Sequence, residues 1–156
     1  MEKAINIANY MLSKKSLTPK QVQKLLYYAY SLYLIKYNEN YNPEHMNRLF
    51  EDKIEAWKHG PVIRSVYDSI KGIAYSYELI CFNSVVKLTD TKTENFIDKI
   101  LAVFGGYSGY ELEKMTHSEL PWQLTYIDCD GEARCNRVID DALIYNFYSR
   151  KYKNNV

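Results

Sequence analysis

At 156 residues, 47% hydrophobic and 25% charged, the chain has the size and make-up of one globular domain able to bury a single core. Its formal net charge of +1 gives no long-range field toward nucleic acid or an anionic membrane, and no run approaches the ~20 apolar residues that span a bilayer. Residues 1–15 place Asn6, Asn9 and Ser13 among the apolar positions and lack a small-residue cleavage site, and Cys81, Cys129 and Cys135 are odd in number without a close-pair motif; these features predict a cytoplasmic chain with no secretory signal and no disulfide framework.

Ala4, Ile5, Ala8, Met11 and Leu12 recur at three- and four-residue spacing and predict an amphipathic helix over 2–13, ending before Lys14 and Lys15. The next helix, within residues 16–37, organises the rest. Thr18 can cap it, Pro19 suits its first position, and Gln21 stands three after the cap to bond back. Leu17 and Val22 make the hydrophobic pair that fixes how the chain enters it. Val22, Leu25, Leu26, Ala29, Leu32 and Tyr33 form one stripe, and Tyr27, Tyr30, Leu34 and Tyr37 form a second beside it. A helix apolar over more than half its circumference is packed from several sides, so it is predicted to be central. Gln23 falls in the tyrosine stripe and requires a hydrogen-bond partner, a tyrosine hydroxyl or a backbone group.

Residues 38–48 are polar, Asn-rich and predicted to form a loop. Ile54 and Ala56 fit one face of a short extended segment. Gly60 breaks it, and Pro61 is expected to open a helix with Val62, Val66 and Ile70 on its apolar face, up to Gly72. Residues 73–88 are rich in β-branched and aromatic residues, which predicts one or two short strands. Thr89 or Asp90 caps a helix that buries Phe96, Ile97, Ile100, Leu101, Val103 and Phe104 and stops at Gly105-Gly106. A short helix follows Ser108, another begins near Ser118 or Glu119 and runs to about Ile127, and 128–137 is a polar turn. Asp140 caps a last helix carrying Leu143, Ile144, Phe147 and Tyr148, with the domain ending near residue 150 and a frayed tail over 151–156. The expected fold is mainly α, a compact helical domain with a small strand component or hairpin.

Catalytic constellations are weak. His117 between Thr116 and Glu119 could act as a general base, but no nucleophile or second acid sits in a recognisable motif, so a structural role at a helix–turn–helix corner fits better. No cysteine–histidine signature, metal-ligand spacing or glycine-rich phosphate loop is present, which leads us to expect no enzyme, no cofactor and no metal. Lys14, Lys15, Lys20 and Lys24 cluster near the start of the central helix, and a helix N-terminus can meet phosphate. The near-neutral charge and the apolar girth of that helix count against nucleic acid, because a recognition helix must expose a face to the groove. Sixteen tyrosines suit a core with polar edges and equally a protein interface. In AWKHGPV, Gly60 and Pro61 hold Trp57 and His59 beside a rigid corner, where Trp57 is either an exposed anchor or buried beneath the central helix.

Three segments stand out together: LTPKQVQKLLYYAY (17–30), IEAWKHGPVIRSVY (54–67) and MTHSELPW (115–122). In this order and spacing they resemble the Panacea domain family, described also as SocA-like antitoxins and as GepA-type phage-associated proteins. The family pattern falls on Leu17, Thr18, Pro19, Gln23, Lys24, Leu25 and Tyr27, then on Glu55, Ala56, Trp57, Gly60, Pro61, Val62 and Tyr67, then on Thr116, His117, Pro121 and Trp122. The resemblance implies an antitoxin-type module that binds and neutralises a toxin encoded beside it; in one branch it implies an adaptor that hands the toxin to a AAA+ protease. A phage-borne inhibitor of a host defence protein and a DNA-binding autoregulator are the alternatives. His59 departs from the aromatic residue common at that place in the family, and residues 73–82 match none of its pattern. Trp57, His59, Tyr67, His117 and Trp122 are the candidate partner contacts. Thr18, Pro19, Gln23, Lys24, Tyr27, Glu55, Gly60, Pro61, Thr116 and Pro121 are expected to be structural.

Overall fold

The computed structural model describes residues 1–73, 75 and 77–153. Ala74 and Ser76, within the expected strand region, and residues 154–156, at the end of the expected tail, lie outside the described residues.

The first helix, α1 (Ala4–Lys14), buries Ala4, Ile7, Ala8, Tyr10, Met11 and Leu12. Its N-terminus is held from a distance, because Asp52 Oδ2 accepts the Ala4 N–H at 3.0 Å. The central helix α2 (Pro19–Lys36) begins as its sequence requires: Thr18 Oγ1 accepts the Gln21 N–H at 3.1 Å and Gln21 Oε1 accepts the Thr18 N–H at 2.8 Å. From Val22 to Ile35 only Tyr33 escapes full burial; the helix is central as expected, but it is packed all round, since Lys24, Tyr28, Ser31 and Ile35 outside the two stripes are buried while Tyr33 within one is half-buried. It touches α1 and five elements introduced below.

After a loop, β1 (Ile54–Trp57) and β2 (Gly60–Ile63) pair antiparallel, with Trp57 opposite Gly60 and Ala56 opposite Pro61. Residues 133–139 run along the free edge of β1 and cover it: Ala56 N–H donates to Arg137 O at 3.0 Å, Lys58 N–H to Ala133 O at 3.0 Å, and Ile139 N–H to Ile54 O at 2.8 Å. The helix expected from Pro61 therefore starts three residues later, as α3 (Arg64–Ile70). Gly60, at φ +107°, ends the tight turn, and strand pairing prevails over the helix-opening tendency of Pro61.

The described residues between 71 and 90 cross from α3 to α4 as a strap. The expected strands are reduced here to one isolated bridge, in which Ile80 and Leu17 exchange backbone hydrogen bonds at 2.8 and 3.0 Å. The β-branched and aromatic residues that suggested a sheet are mostly exposed and have no neighbouring strand to pair with. Next come α4 (Thr91–Phe104), capped by Asp90, α5 (Gly109–His117), capped by Ser108 with Glu111 closing the box, and α6 (Leu120–Tyr126). In α4 the buried face is Phe96, Ile97, Ile100 and Phe104; Leu101 lies at its margin and Val103 faces solvent, one position off the expected stripe. A 3-10 turn (Ile127–Cys129) leads to α7 (Asp141–Tyr152), capped by Asp140 and packed on α2. The fold is mainly α with one small hairpin.

One expectation is overturned. Cys129 and Cys135 form a disulfide across a six-residue separation, closing the turn at 129–135, and Cys81 alone is free. Both partners are buried beneath the turn that lies along β1, so the fold brings together a pair whose spacing matched no familiar motif.

Among the described residues, no helix is long and apolar enough to cross a membrane.

Candidate functional site

The site is built where α2, the hairpin and α5 meet. Gln23 Oε1 accepts the Ile63 N–H at 2.8 Å while its Nε2 donates to the Ile63 carbonyl at 3.2 Å. The amide thus takes the place of a neighbouring strand on β2, which answers the requirement set by its buried position. One residue on, Lys24 is 2% exposed and its Nζ donates to the Pro61 carbonyl at 3.1 Å. Burial pushes the Lys24 ammonium down to about 7, with Glu113 partly opposing the shift and Lys20 adding to it. Gly60 makes room for this lysine: a Cβ there would stand 2.7 Å from Lys24 Cε and 2.9 Å from Thr116 Oγ1.

Above these residues opens a groove of about 420 Å³ with an apolar floor of Trp57, Val62, Tyr67 and Ile70. Trp57 is buried, so it forms a wall of the groove and does not protrude as an anchor. Its ring meets Tyr67 edge-on at 4.9 Å, and its indole N–H donates to Glu55 Oε1 at 3.0 Å. Glu55 in turn takes a two-pronged contact from Arg64, at 2.7 and 3.1 Å. The Arg134 guanidinium lies 5.7 Å from the Trp57 ring centre and 5.0 Å from that of Tyr67, and donates to the Tyr67 hydroxyl at 2.7 Å. At the other end His59 Nδ1 lies 3.2 Å from Glu113 Oε2, while Lys20 Nζ reaches Glu113 Oε1 at 2.7 Å. Burial alone would raise the Glu113 carboxyl, but the hydrogen bonds from Lys20 and His59 outweigh it and hold the pKa below the usual glutamate value.

Of the five candidate contacts, the fold gathers Trp57, His59 and Tyr67 along this groove. His117 and Trp122 belong to a separate stack behind it, His117 on Trp122 at 4.0 Å and Trp122 on Tyr126 at 4.8 Å. The stack is tied to the hairpin because the Trp122 indole donates to the Trp57 carbonyl at 2.8 Å. Burial holds the His117 pKa below the ordinary histidine value, and its Nε2 is buried without a hydrogen-bond partner. The lysine cluster considered for phosphate is not held together: Lys24 lies at the base of the groove with its Nζ on the Pro61 carbonyl, Lys20 pairs with Glu113, and Lys15 Nζ donates to the Gly105 carbonyl at 2.8 Å.

A second buried network lies one turn farther along α2, at Tyr28. Glu119, at 2% exposure, accepts from Tyr28 at 2.6 Å and Tyr148 at 2.9 Å on one oxygen and from Lys151 at 2.8 Å on the other. Burial first, and the Glu119 charge after it, hold the Tyr28 phenol far above its ordinary pKa; burial likewise raises Tyr27 and Tyr148. A smaller cavity of about 220 Å³ lies beside Tyr30, Arg48 and Asp141, whose polar groups already bond to one another at 2.7 and 2.8 Å. Among the described residues no group of three His, Cys, Asp or Glu side chains could hold a metal. Sequence reasoning missed Arg134, Glu113 and Tyr75 at the groove, and it set Glu119 beside His117, whereas the fold gives that carboxylate to Tyr28, Tyr148 and Lys151. The third family-like motif, 115–122, includes Glu119 but begins after Glu113, and no sequence signal joined Arg134 to Trp57.

Among curated proteins and among solved structures nothing matches. The family described as antitoxin SocA-like, Panacea domain, matches residues 22–123, a stretch that contains most of α2, the hairpin, α5 and most of the groove. That match covers well over half of the chain and includes nearly all of the three motifs that shape the site; the chain belongs to the SocA-like antitoxin family and carries its Panacea domain.

Proposed function

We propose that the chain neutralises a partner toxin by binding it directly, without catalytic turnover, and that the groove beside the hairpin is the contact surface. One observation carries this: the family motif residues Gln23 and Lys24 hold the hairpin beneath that groove, Gln23 through the Ile63 backbone and Lys24 through the Pro61 carbonyl beside Gly60, and Trp57, His59 and Tyr67 line it. A rigid, largely apolar wall with cationic groups at its edges suits protein binding. Co-expression with each protein encoded beside the gene tests this. Growth rescue together with a stable complex, lost in Tyr67→Ala or His59→Ala variants that still fold, is the expected result. Rescue without any recoverable complex would overturn direct binding.

Delivery of the toxin to a AAA+ protease is a second reading, favoured by the exposed apolar strap after α3, where Ile73, Tyr75, Tyr77 and Leu79 face solvent. It predicts that the toxin disappears from cells expressing the chain and persists when the protease is deleted. A host defence protein in place of a toxin would engage the same surface, and capture from host lysate with no toxic neighbour would favour it.

A further inference from the structure

The groove's chemistry selects its occupant. Its lining includes Lys20, Lys24, His59, Lys71 and Arg134 and contains no Asp or Glu. Two of these cations lack a carboxylate partner among the described residues. Arg134 meets only the Trp57 and Tyr67 rings and the Tyr67 hydroxyl, and Lys24 has three N–H groups but a single acceptor, the Pro61 carbonyl. The carboxylates nearby are engaged from outside the lining, Glu113 with Lys20 and His59, and Asp68 with Lys71 at 3.4 Å. An almost completely buried lysine with donors to spare is costly unless something supplies an acceptor. The apolar surface also continues past the rim: Tyr75 lines the groove at 69% exposure and stacks on Tyr77, 75% exposed, at 5.8 Å.

Resting on the antitoxin reading above, we propose that the groove takes an acidic segment of the partner protein, with one carboxylate set against Lys24 and Arg134 and a bulky apolar side chain against Trp57, Tyr67 and Ile70. The exposed Tyr75 and Tyr77 rings cover the flanking residues of that segment, which makes the occupant longer than a small molecule filling the cavity alone. The low pKa of Lys24 agrees with this, because a carboxylate placed beside it restores the charged form that burial disfavours. Other titratable groups facing Lys24 are Lys20 from α2 and Glu113 and His117 from α5; His59 from the hairpin turn meets Glu113.

The test uses the full chain and a defined probe, the peptide acetyl-Asp-Glu-Phe-Leu-Glu-Asp-amide, beside its uncharged analogue in which every acid is replaced by its amide. Amide chemical shifts are followed as each peptide is added. The acidic peptide is expected to move the signals of Val62, Tyr67, Lys71 and Arg134 and to bind at least ~10-fold more tightly than the analogue, with the advantage lost in Arg134→Glu and reduced in Lys24→Met. Arg134 is tethered by the turn, and the lysine variant keeps its stem, so a folded protein is readily checked by the unchanged remainder of the spectrum. Equal binding of the two peptides, shifts elsewhere on the surface, or no shifts with either peptide would overturn the proposal. Tighter binding of a single-stranded oligonucleotide at the same residues, or binding of N-acetylglutamate as strong as that of the peptide, would overturn it in favour of another occupant. Growth rescue is read separately: rescue without peptide preference removes only the acidic segment, and peptide preference without rescue removes toxin neutralisation.

Discussion

Gln23 holds Ile63 by both of its backbone polar groups, accepting its N–H at 2.8 Å and donating to its carbonyl at 3.2 Å from a fully buried position on α2. Replacing it with Leu leaves both groups unpaired in the core. We expect a loss of about 2–5 kcal/mol in urea denaturation, since each unsatisfied buried group costs about 1–3 kcal/mol. Gln23→Glu keeps the acceptor but faces the Ile63 carbonyl with a carboxylate oxygen unless it is protonated. Its folded pKa is thereby raised, so its deficit should shrink as pH falls toward 4.

Gly60 cannot be exchanged quietly. Its φ of +107° and the nearness of Lys24 Cε and Thr116 Oγ1 predict that Gly60→Ala lowers stability by at least about 1–3 kcal/mol. Adding Lys24→Ala removes one of the two clashes and leaves the backbone strain, so the double variant should be less destabilised than the sum of the singles, by roughly 0.5–3 kcal/mol in a double-mutant cycle. Strict additivity would show that the lysine does not press on the turn.

Stability should be highest on the alkaline side of neutrality. Lys24 has a folded pKa of about 7 against an ordinary 10.5, so between those values the unfolded chain binds the extra proton and stability rises with pH, by at most about 1.4 kcal/mol per pH unit. Tyr27, Tyr28, Tyr30 and Tyr148 have phenols raised above 10, so beyond pH 10 the folded state keeps protons that the unfolded state has lost, and stability falls. Denaturation midpoints from pH 6 to 11 should trace this maximum, and Lys24→Met should flatten its rising limb.

Glu119 is the acceptor on which Tyr28, Tyr148 and Lys151 converge. Glu119→Ala strands the buried Tyr28 hydroxyl and leaves Tyr148 with the Tyr27 hydroxyl alone, and is expected to cost about 1–3 kcal/mol, whereas Glu119→Gln retains an oxygen for the tyrosines and should cost less. Thermal melts of the two variants, compared at pH 7, check the order.

Reduction of the Cys129–Cys135 bond by a dithiol, which transfers two electrons and two protons and leaves two thiols, opens the turn carrying Ala133 and Arg134. Loss of so short a cross-link should lower stability by about 2 kcal/mol. The Lys58 N–H, which donates to Ala133, should exchange faster with solvent. Cys135→Ser is expected to behave like the reduced protein in both measurements, and to loosen Arg134 from its place over Trp57.

Much of this molecule was legible because its signals were local. Thr18, Pro19 and Gln21 specify the start of α2 within four residues, the paired stripes specify its burial, and Ser108 and Asp140 cap as expected. Where sequence reasoning failed, distant residues decided the outcome. Pro61 looks like a helix opener until Gly60 turns the chain back on Trp57 and residues 133–139 cover β1. The strap looks like strands because its composition favours them, yet among the described residues it makes only the single bridge from Ile80 to Leu17. At the groove, Trp57, His59 and Tyr67 lie within ten residues and were found together, but Arg134 arrives through the disulfide-closed turn more than sixty residues later. His117 and Trp122 carried the same motif signal as those three, and only the fold separates them into a stack behind the hairpin.

Glu119 draws two of its three partners from α7, beyond the last residue matched by the family, while α1 lies ahead of the first and packs on the same central helix. A fragment trimmed to residues 22–123 would therefore be a core with two of its walls removed, exposing the Tyr28 ring where Tyr148 now meets it edge-on. Anyone moving this module into a fusion or a minimal expression unit should carry residues 4–152 intact, because the stretch by which the family is recognised is shorter than the unit that folds.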